Sequence, residues 1–519
     1  MDTMKKDKGK TYMIIGIIIL VLALIGSTYA YYRYVFANVN VDTITRGLDY
    51  YITYAKGTDI TNKVLEPSTD YTGGNSVTVT LYKKDNSYDI YGHIYLNVTS
   101  IGTTLSNSSA LKYVVTDGTN ILFNGKLKGV TNGSKIPLAV NIPLNTTSTK
   151  YTVYLWFDDN NAEETSSEGQ TISASVSCEA TIKKIVGIVY GTASYKIGEL
   201  YINSAKTPVS LNNVTYQYDT TNNLMTDIDN NIRYYGASPN NYIYFNCSDY
   251  NNQSSSTCET WRIIGVFDGK VKIMRGSSIG TYSWDNKNTS TGAETAYGKN
   301  DWATARLMKL LNPSNYYTID SNDNGNGQSL YWNAKSGTCF SGQNNATTSC
   351  DFTSTGLKND MTRNMIAEIT YYTRGHNFSS IYVDAMYDKE RVSGTVVSAT
   401  PPRTLTWTGK VAIPYPSDYG YAADLSLCQK QLVSYNNSTC TANNWMKNII
   451  TNNGVTNGWL LTPYSGNASL VWIVNSSGNV YYDNGAYYAN GVAPVLSLTS
   501  ELDIGPGTGT SSSPYQLAV

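Results

Sequence analysis

The sequence predicts an α+β chain built from an N-terminal transmembrane helix, a β-sandwich and a larger mixed α+β unit. Three observations carry this. An uncharged apolar stretch follows a lysine cluster near the start. Runs alternating apolar and polar residues with period two dominate the next part. Beyond them, strand-like runs are interrupted by three segments with helical spacing. At 519 residues the chain exceeds one ordinary core, so at least two folded units are expected.

Lys5, Lys6, Lys8 and Lys10 precede the uncharged stretch from Thr11 to Tyr32. A helix crossing ~30 Å of hydrocarbon needs ~20 residues. Tyr12, Tyr29, Tyr31 and Tyr32 stand at its two edges, where aromatic belts form. The lysines favour a cytoplasmic N-terminus, and residues 1–34 are assigned to a tail and anchor. Thr28-Tyr29-Ala30 also fits a signal-peptide cleavage pattern, in which case the rest is secreted.

Residues 35–185 are assigned to a β-sandwich stalk. Ser76 to Leu81, Tyr151 to Trp156 and Ser173 to Cys178 each alternate with period two, which sets one face on a core and the other in water. The acidic run Asp158 to Glu164 reads as a hairpin tip, with cation binding as the alternative. Residues 186–234, rich in Gly, Asn and Asp turns, read as a linker.

The second unit is assigned to 235–502. Asn241 to Phe245 and Thr260 to Phe267 read as strands, and Asp268-Gly269 turns the latter into Lys270 to Met274. Helices are expected over 301–311, 361–373 and 444–451. Leu470 to Val474, Asn479 to Tyr482, Ala486 to Tyr488 and Val492 to Leu498 read as an antiparallel meander. The Gly/Ser/Thr-rich end, 503–519, is expected to be a flexible tail.

Charged residues are 15% and the formal net charge is −1, so no basic excess favours nucleic acid as a partner. The chain holds 45 Tyr against 8 Phe and 2 His. Tyr buries a ring while keeping a hydroxyl for water or a ligand, although an AT-rich genome also raises Tyr and Asn. His93 and His376 fall in different units, which argues against a histidine-based catalytic device, so no catalytic residue and no cofactor are assigned. Asp320 to Gly325 mimics the start of a calcium loop, but its twelfth position is Tyr331 rather than Glu, leaving Ca2+ only a weak candidate.

Six cysteines form three closely spaced pairs: Cys247 with Cys258, Cys339 with Cys350, and Cys428 with Cys440. Each flanks an Asn/Ser/Thr-rich loop and reads as a local disulfide, which implies an oxidising compartment. Cys178 is left as a buried thiol.

Gly458-Trp459-Leu460-Leu461-Thr462-Pro463, the Trp472-to-Tyr482 hairpin and Gly491-Val492-Ala493-Pro494-Val495-Leu496-Ser497-Leu498 resemble the end of C-type-lectin-like domains. The nearest in pattern are the formylglycine-generating, sulfatase-modifying branch and related uncharacterised bacterial surface domains. The Trp261 strand, the Trp284-Asp285 loop and the Asp301–Leu311 helix match the earlier half, so the resemblance spans roughly 235–500. Ala493 departs from the usual Arg of the closing strand. The resemblance implies a mixed α+β unit whose loop-and-strand surface takes ligands. The N-terminal half is similar in layout to camelysin-type surface proteins. Asn467 to Asn490 also looks like the variable region of proteins diversified by retroelements.

The candidate ligand-binding residues are Trp472, Asn475, Ser476, Asn479, Tyr481, Tyr482, Asp483, Asn484, Tyr487, Tyr488 and Asn490. Tyr and Trp offer large contact area with few rotors, and Ser and Asn offer adaptable hydrogen bonds. Strand alternation lets only about half of them face one surface, with Tyr482 and Tyr488 the ones that could belong to the core. The expected function is ligand binding or adhesion to an extracellular protein or glycan. The expected location is the bacterial cell membrane, single-pass, with an extracellular C-terminal region. The alternatives are a structural matrix protein that packs against its own copies, and a formylglycine-generating enzyme using Cys428 and Cys440 with copper.

Overall fold

Alternation is the strongest local signal in the first part of the chain, and the strands follow it. The computed structural model describes residues 34–36, 52–56, 58–84, 86, 88–159, 170–287, 296–319, 327–378, 380–399, 402–451, 456–500 and 502–518. The chain divides into two compact units, Met1–Gly191 and Thr192–Val519.

In the first unit, Asn75–Lys83, Thr149–Asp158 and Thr171–Thr181 bury every second side chain over most of their length. One sheet orders Tyr34–Phe36, Thr171–Thr181, Tyr91–Ile101 and Lys135–Pro143. The other orders Ile52–Lys56, Asn75–Lys83, Thr149–Asp158, Leu111–Thr116 and Ile121–Lys126. Their inward residues, among them Val79, Leu96, Val153 and Val176, share one core, which fits a β-sandwich. His93 lies inside it, between Thr181 Oγ1 at 2.9 Å and the Asn141 amide, which donates to its Nδ1 at 3.1 Å.

The second unit is organised by a nine-stranded antiparallel sheet. Its path runs Thr207–Leu211, Val214–Asp219, Leu224–Thr226, Ile232–Tyr234, Glu259–Phe267, Lys270–Arg275, Val495–Ser497 and Val411–Ala412, and Tyr242–Phe245 also pairs with Glu259–Phe267. Asp268 and Gly269 take φ of 47° and 78° at the expected hairpin. Gly265 has a steric role: a Cβ there would stand 2.0 Å from the Ile232 carbonyl oxygen, so the Ile232–Tyr234 strand could not pair.

Several expectations are corrected. The described chain is 38% strand and 15% helix, so it is mostly β rather than α+β. The transmembrane segment expected over 11–32 lies outside the described residues. Among the described residues no helix is long and apolar enough to cross a membrane, so the single-pass anchor and the membrane location built on it are withdrawn. The expected linker, 186–234, instead carries the Ala193–Ile202 helix and the first four strands of the large sheet. Asn212 and Asn213, with φ of 49° and 64°, turn its first hairpin. The expected flexible tail is also structured: Asp503–Ile504 pairs with Leu517–Ala518, and the Tyr515 amide donates to the Tyr242 carbonyl at 2.9 Å.

The helix expected over 361–373 is one turn, Asp360–Asn364, capped by Asn359, and then a strand, Ile369–Tyr372. The Ala367 amide donates to Ser497 O at 2.8 Å, and Tyr371 sits 5.6 Å from the Trp407 ring of the pairing strand. Tertiary capture therefore overrides the helical spacing. The helix expected over 301–311 is a 3-10 turn, Trp302–Thr304, followed by Arg306–Leu311, and that expected over 444–451 shrinks to Lys447–Ile450.

A buried ion cluster ties these elements together. Arg233 donates to Asp227 at 2.6 Å and to Asp418 at 3.0 Å, and Lys272 reaches Asp418 at 2.5 Å. Beside it Glu390 pairs with Arg391 and accepts from Ser417. Burial alone would raise the Asp418 carboxyl, but Lys272, Arg233 and Arg391 together hold it well below the usual carboxylate range.

The three expected disulfides are present: Cys247–Cys258, Cys339–Cys350 and Cys428–Cys440. Loops of this length are worth ~2–3 kcal/mol each in the chain-entropy view. Cys178 is free and buried, and burial pushes its thiol far up.

Two outcomes are expected. Asp418→Asn strips the Lys272 ammonium of its carboxylate and should cost ~3–5 kcal/mol, read as a lower urea midpoint. The carboxylate's contribution is full above the ordinary Asp value near 4 and fades as pH falls below it, so the variant's deficit should shrink in acid. Iodoacetamide should label no cysteine in the native chain, and Cys178 alone in urea without reductant. Labelling of native Cys178, or of further cysteines in urea, would contradict the assignment.

Candidate ligand-binding surface

The last part of the chain forms a second, five-stranded sheet. Its order is Thr281–Ser283, Ala489–Gly491, Asn457–Pro463, Leu470–Asn475 and Val480–Gly485. It is not a simple meander. Ala489–Gly491 crosses to the far side of Asn457–Pro463, and Val495–Ser497 leaves for the large sheet. The turn between Leu470–Asn475 and Val480–Gly485 is built by Asn475, whose Oδ1 accepts from Ser477 N and Asn479 N at 3.1 Å each. Gly478 takes φ 98° there.

Register explains which rings come together. Ile473 pairs with Tyr481 and Val471 with Asn484, so the second strand carries one extra residue over this stretch. Such a bulge lets consecutive side chains share a side instead of alternating. Tyr481 and Tyr482 accordingly stack at 4.9 Å and 17°, and Tyr482 stacks on Tyr464 at 4.0 Å and 10°. All three are half-buried. Trp472 supports them from within, with ring contacts of 5.4 Å to Tyr482 and 6.2 Å to Tyr464. Burial, then Tyr482, pushes the Tyr464 phenol up.

A second group lies past the end of the same strand. Tyr487 and Tyr488 stack at 4.4 Å, and Tyr297 stands 5.8 Å from Tyr487. Tyr297 is 57% exposed and Tyr488 is 45% exposed, so both offer ring surface to solvent. The backbone beneath is fixed: Ser283 Oγ donates to Tyr487 O at 2.7 Å, and Tyr487 N donates to Tyr297 O at 3.1 Å. The Tyr488 hydroxyl, then burial, pushes the Tyr487 phenol up to about 12.

The predicted residues divide accordingly. Tyr481, Tyr482, Tyr487, Tyr488 and Ser476 reach solvent. Asn475 and Asn479 are half-buried, and both are engaged: Asn475 in its turn, Asn479 donating to Val433 O at 2.8 Å. Trp472 and Asn490 are corrections: Trp472 is 0% exposed and Asn490 is buried, because both point to the packed side of their strands. The side chains of Asp483 and Asn484 lie outside the described residues. Tyr488, named as one that could belong to the core, is instead exposed.

Sequence reasoning missed Tyr297, Tyr464 and the His376-Phe378 pair. Arg374-Gly375-His376 follows the strand Ile369–Tyr372 rather than the end of the helix expected over 361–373, and His376 bridges to Tyr464 through the backbone. Its ring lies 5.3 Å from Phe378, which is 63% exposed. Burial, then Lys389, lowers the His376 imidazole below its ordinary value. The aromatic residues close by in sequence were the signal available for that pair.

Among the described residues no group of three or more His, Cys, Asp or Glu is arranged to hold a metal ion, and the run 320–325 lies outside them. Cys428 and Cys440 are bonded to each other. The chain matches no protein family and no curated protein.

Trp472→Ala should cost ~3–5 kcal/mol in urea unfolding, as for a fully buried Trp. Tyr488→Ala should stay within ~0.5 kcal/mol of the parent. Equal effects would contradict this division of the rings.

Proposed function

We propose that the second unit is a ligand-binding unit, with Tyr481, Tyr482, Tyr487, Tyr488 and Tyr297 as its contact surface and a protein or glycan as its partner. The observation that carries this is the stack Tyr464–Tyr482–Tyr481 over buried Trp472. Rings already held in place lose little side-chain entropy on binding, and Tyr supplies both an apolar face and a hydroxyl. The disulfides support folding in an oxidising compartment, where such partners are met. The resemblance of 458–498 to C-type-lectin-like domains favours the same end of the unit.

The test is binding of the full chain to glycan and protein arrays, beside a Tyr481→Ala, Tyr488→Ala double variant. The proposal expects hits that weaken at least tenfold in the variant, with the urea midpoint of the variant checked separately. Hits unchanged by the variant would reject this surface. Absence of any hit, together with concentration-dependent self-association, would favour a structural role in which copies pack together.

A further inference from the structure

A separate cleft of about 400 Å³ opens beside the large sheet, away from the residues of the tyrosine surface. It is lined by Tyr242, Glu259, Thr260, Arg262, Arg275, Gly276 and Ser277. Its two arginines differ in one respect. Arg275 is neutralised by Glu259 through a two-point contact, Nε to Oε2 at 3.0 Å and Nη2 to Oε1 at 3.2 Å, and its Nη1 donates to Ser277 Oγ at 2.7 Å. Arg262 is only 7% exposed, yet it faces no carboxylate among the described residues. We infer that this cleft binds a small organic carboxylate, received by the free end of the Arg262 guanidinium.

The local construction supports this in detail. The Arg262 guanidinium is held face-on by the Tyr242 ring at 3.7 Å and lies 4.9 Å from the Trp445 ring, so recognition is left to its edges. One edge is taken: Nε donates to Asn241 Oδ1 at 2.6 Å and Nη2 to Pro239 O at 3.4 Å. Nη1 has no hydrogen-bond partner among the described residues, and it is not among the sealed, unpartnered nitrogens, so solvent reaches it. The end-on fork of Nη1 and Nη2 therefore remains open, and it matches the two oxygens of a carboxylate. Asn241 and the aromatic faces fix the fork beforehand, which lowers the ordering cost of binding.

Charge selects the ligand. Arg262 brings one positive charge with no carboxylate facing it among the described residues, and a monoanion cancels it, while strand alternation directs the Glu259–Arg275 pair to the other face of the sheet. A phosphate dianion would overshoot that single charge. Burial lowers Arg262 to about 10, with Tyr242 opposing and no carboxylate contributing, so the group stays cationic at neutral pH. A buried cation without a counter-ion is costly, and a bound carboxylate relieves that cost.

The test uses the full chain in calorimetric titration with benzoate, benzyl alcohol and inorganic phosphate. Benzoate should bind saturably, benzyl alcohol at least tenfold more weakly, and phosphate more weakly than benzoate. Arg262→Gln should weaken benzoate at least tenfold. Because Arg262 also supports Asn241, a second variant leaves it in place: Thr260→Trp, at an exposed strand position, should block the cleft and weaken benzoate to a similar extent. Absence of saturable benzoate binding to the parent chain, parent-like affinity in Thr260→Trp, or equal affinity for benzyl alcohol would each overturn the inference. Phosphate binding tighter than benzoate would overturn the choice of ligand.

Discussion

Asp418 is the buried charge on which the second unit depends. Its carboxylate accepts from Lys272 and Arg233, and from the Tyr415 amide at 3.0 Å. Those partners come from the Lys270–Arg275 strand, the Ile232–Tyr234 strand and the start of the Pro416–Tyr421 helix, which are far apart in sequence. Arg233 passes the connection on to Asp227, and Arg391 stacks on Tyr387 at 3.7 Å while pairing with Glu390. Charges removed from water tolerate few geometries, so such a network fixes how strands and short helices meet more firmly than apolar contact alone. The helices here are too short to hold themselves, and their placement is tertiary.

Fixing that scaffold has a consequence for the smaller sheet. Trp472, Val474 and Val480 belong to the same apolar core as Tyr421 and Leu425. The inward side of the Leu470–Asn475 hairpin is thus committed, and the bulge opposite Ile473 gathers Tyr481 and Tyr482 on one side. A tyrosine-rich sequence is in this way sorted into two populations. Tyr216, Tyr218, Tyr234 and Tyr421 fill the interior, and burial drives their phenols upward. Tyr297 and Tyr488 stay at the surface.

Much of this was legible in the sequence where the physics is local. Period-two alternation located the sandwich strands, Asp268-Gly269 located a hairpin, and cysteine spacing gave all three disulfides. What was not legible depended on distant partners. Ile369–Tyr372 has helical spacing, yet it pairs with Thr406–Gly409. The region from 207 to 234 looks like turns, yet its short strands belong to a sheet that also takes in Val411–Ala412 and Val495–Ser497, more than 170 residues later. The site was read in part. Alternation identified a tyrosine ribbon, but the inward direction of Trp472 and the pairing of Tyr481 with Tyr482 depend on a register shift that no local pattern encodes. Tyr464 and Tyr297 join the rings from separate segments. Arg262 carried no signal at all, since an arginine that faces no carboxylate among the described residues is recognised only when its surroundings are known.

The central claim is that Tyr216, Tyr218, Tyr234 and Tyr421 are packed into the interior while Tyr297 and Tyr488 belong to an exposed contact surface. Tetranitromethane nitration of the native chain, mapped by peptide mass spectrometry, tests it most directly. The account predicts fast nitration of Tyr297 and Tyr488, with Tyr216, Tyr218, Tyr234 and Tyr421 unmodified until the chain is unfolded. Comparable nitration of the two groups in the native state, or protection of Tyr297 and Tyr488, would contradict it.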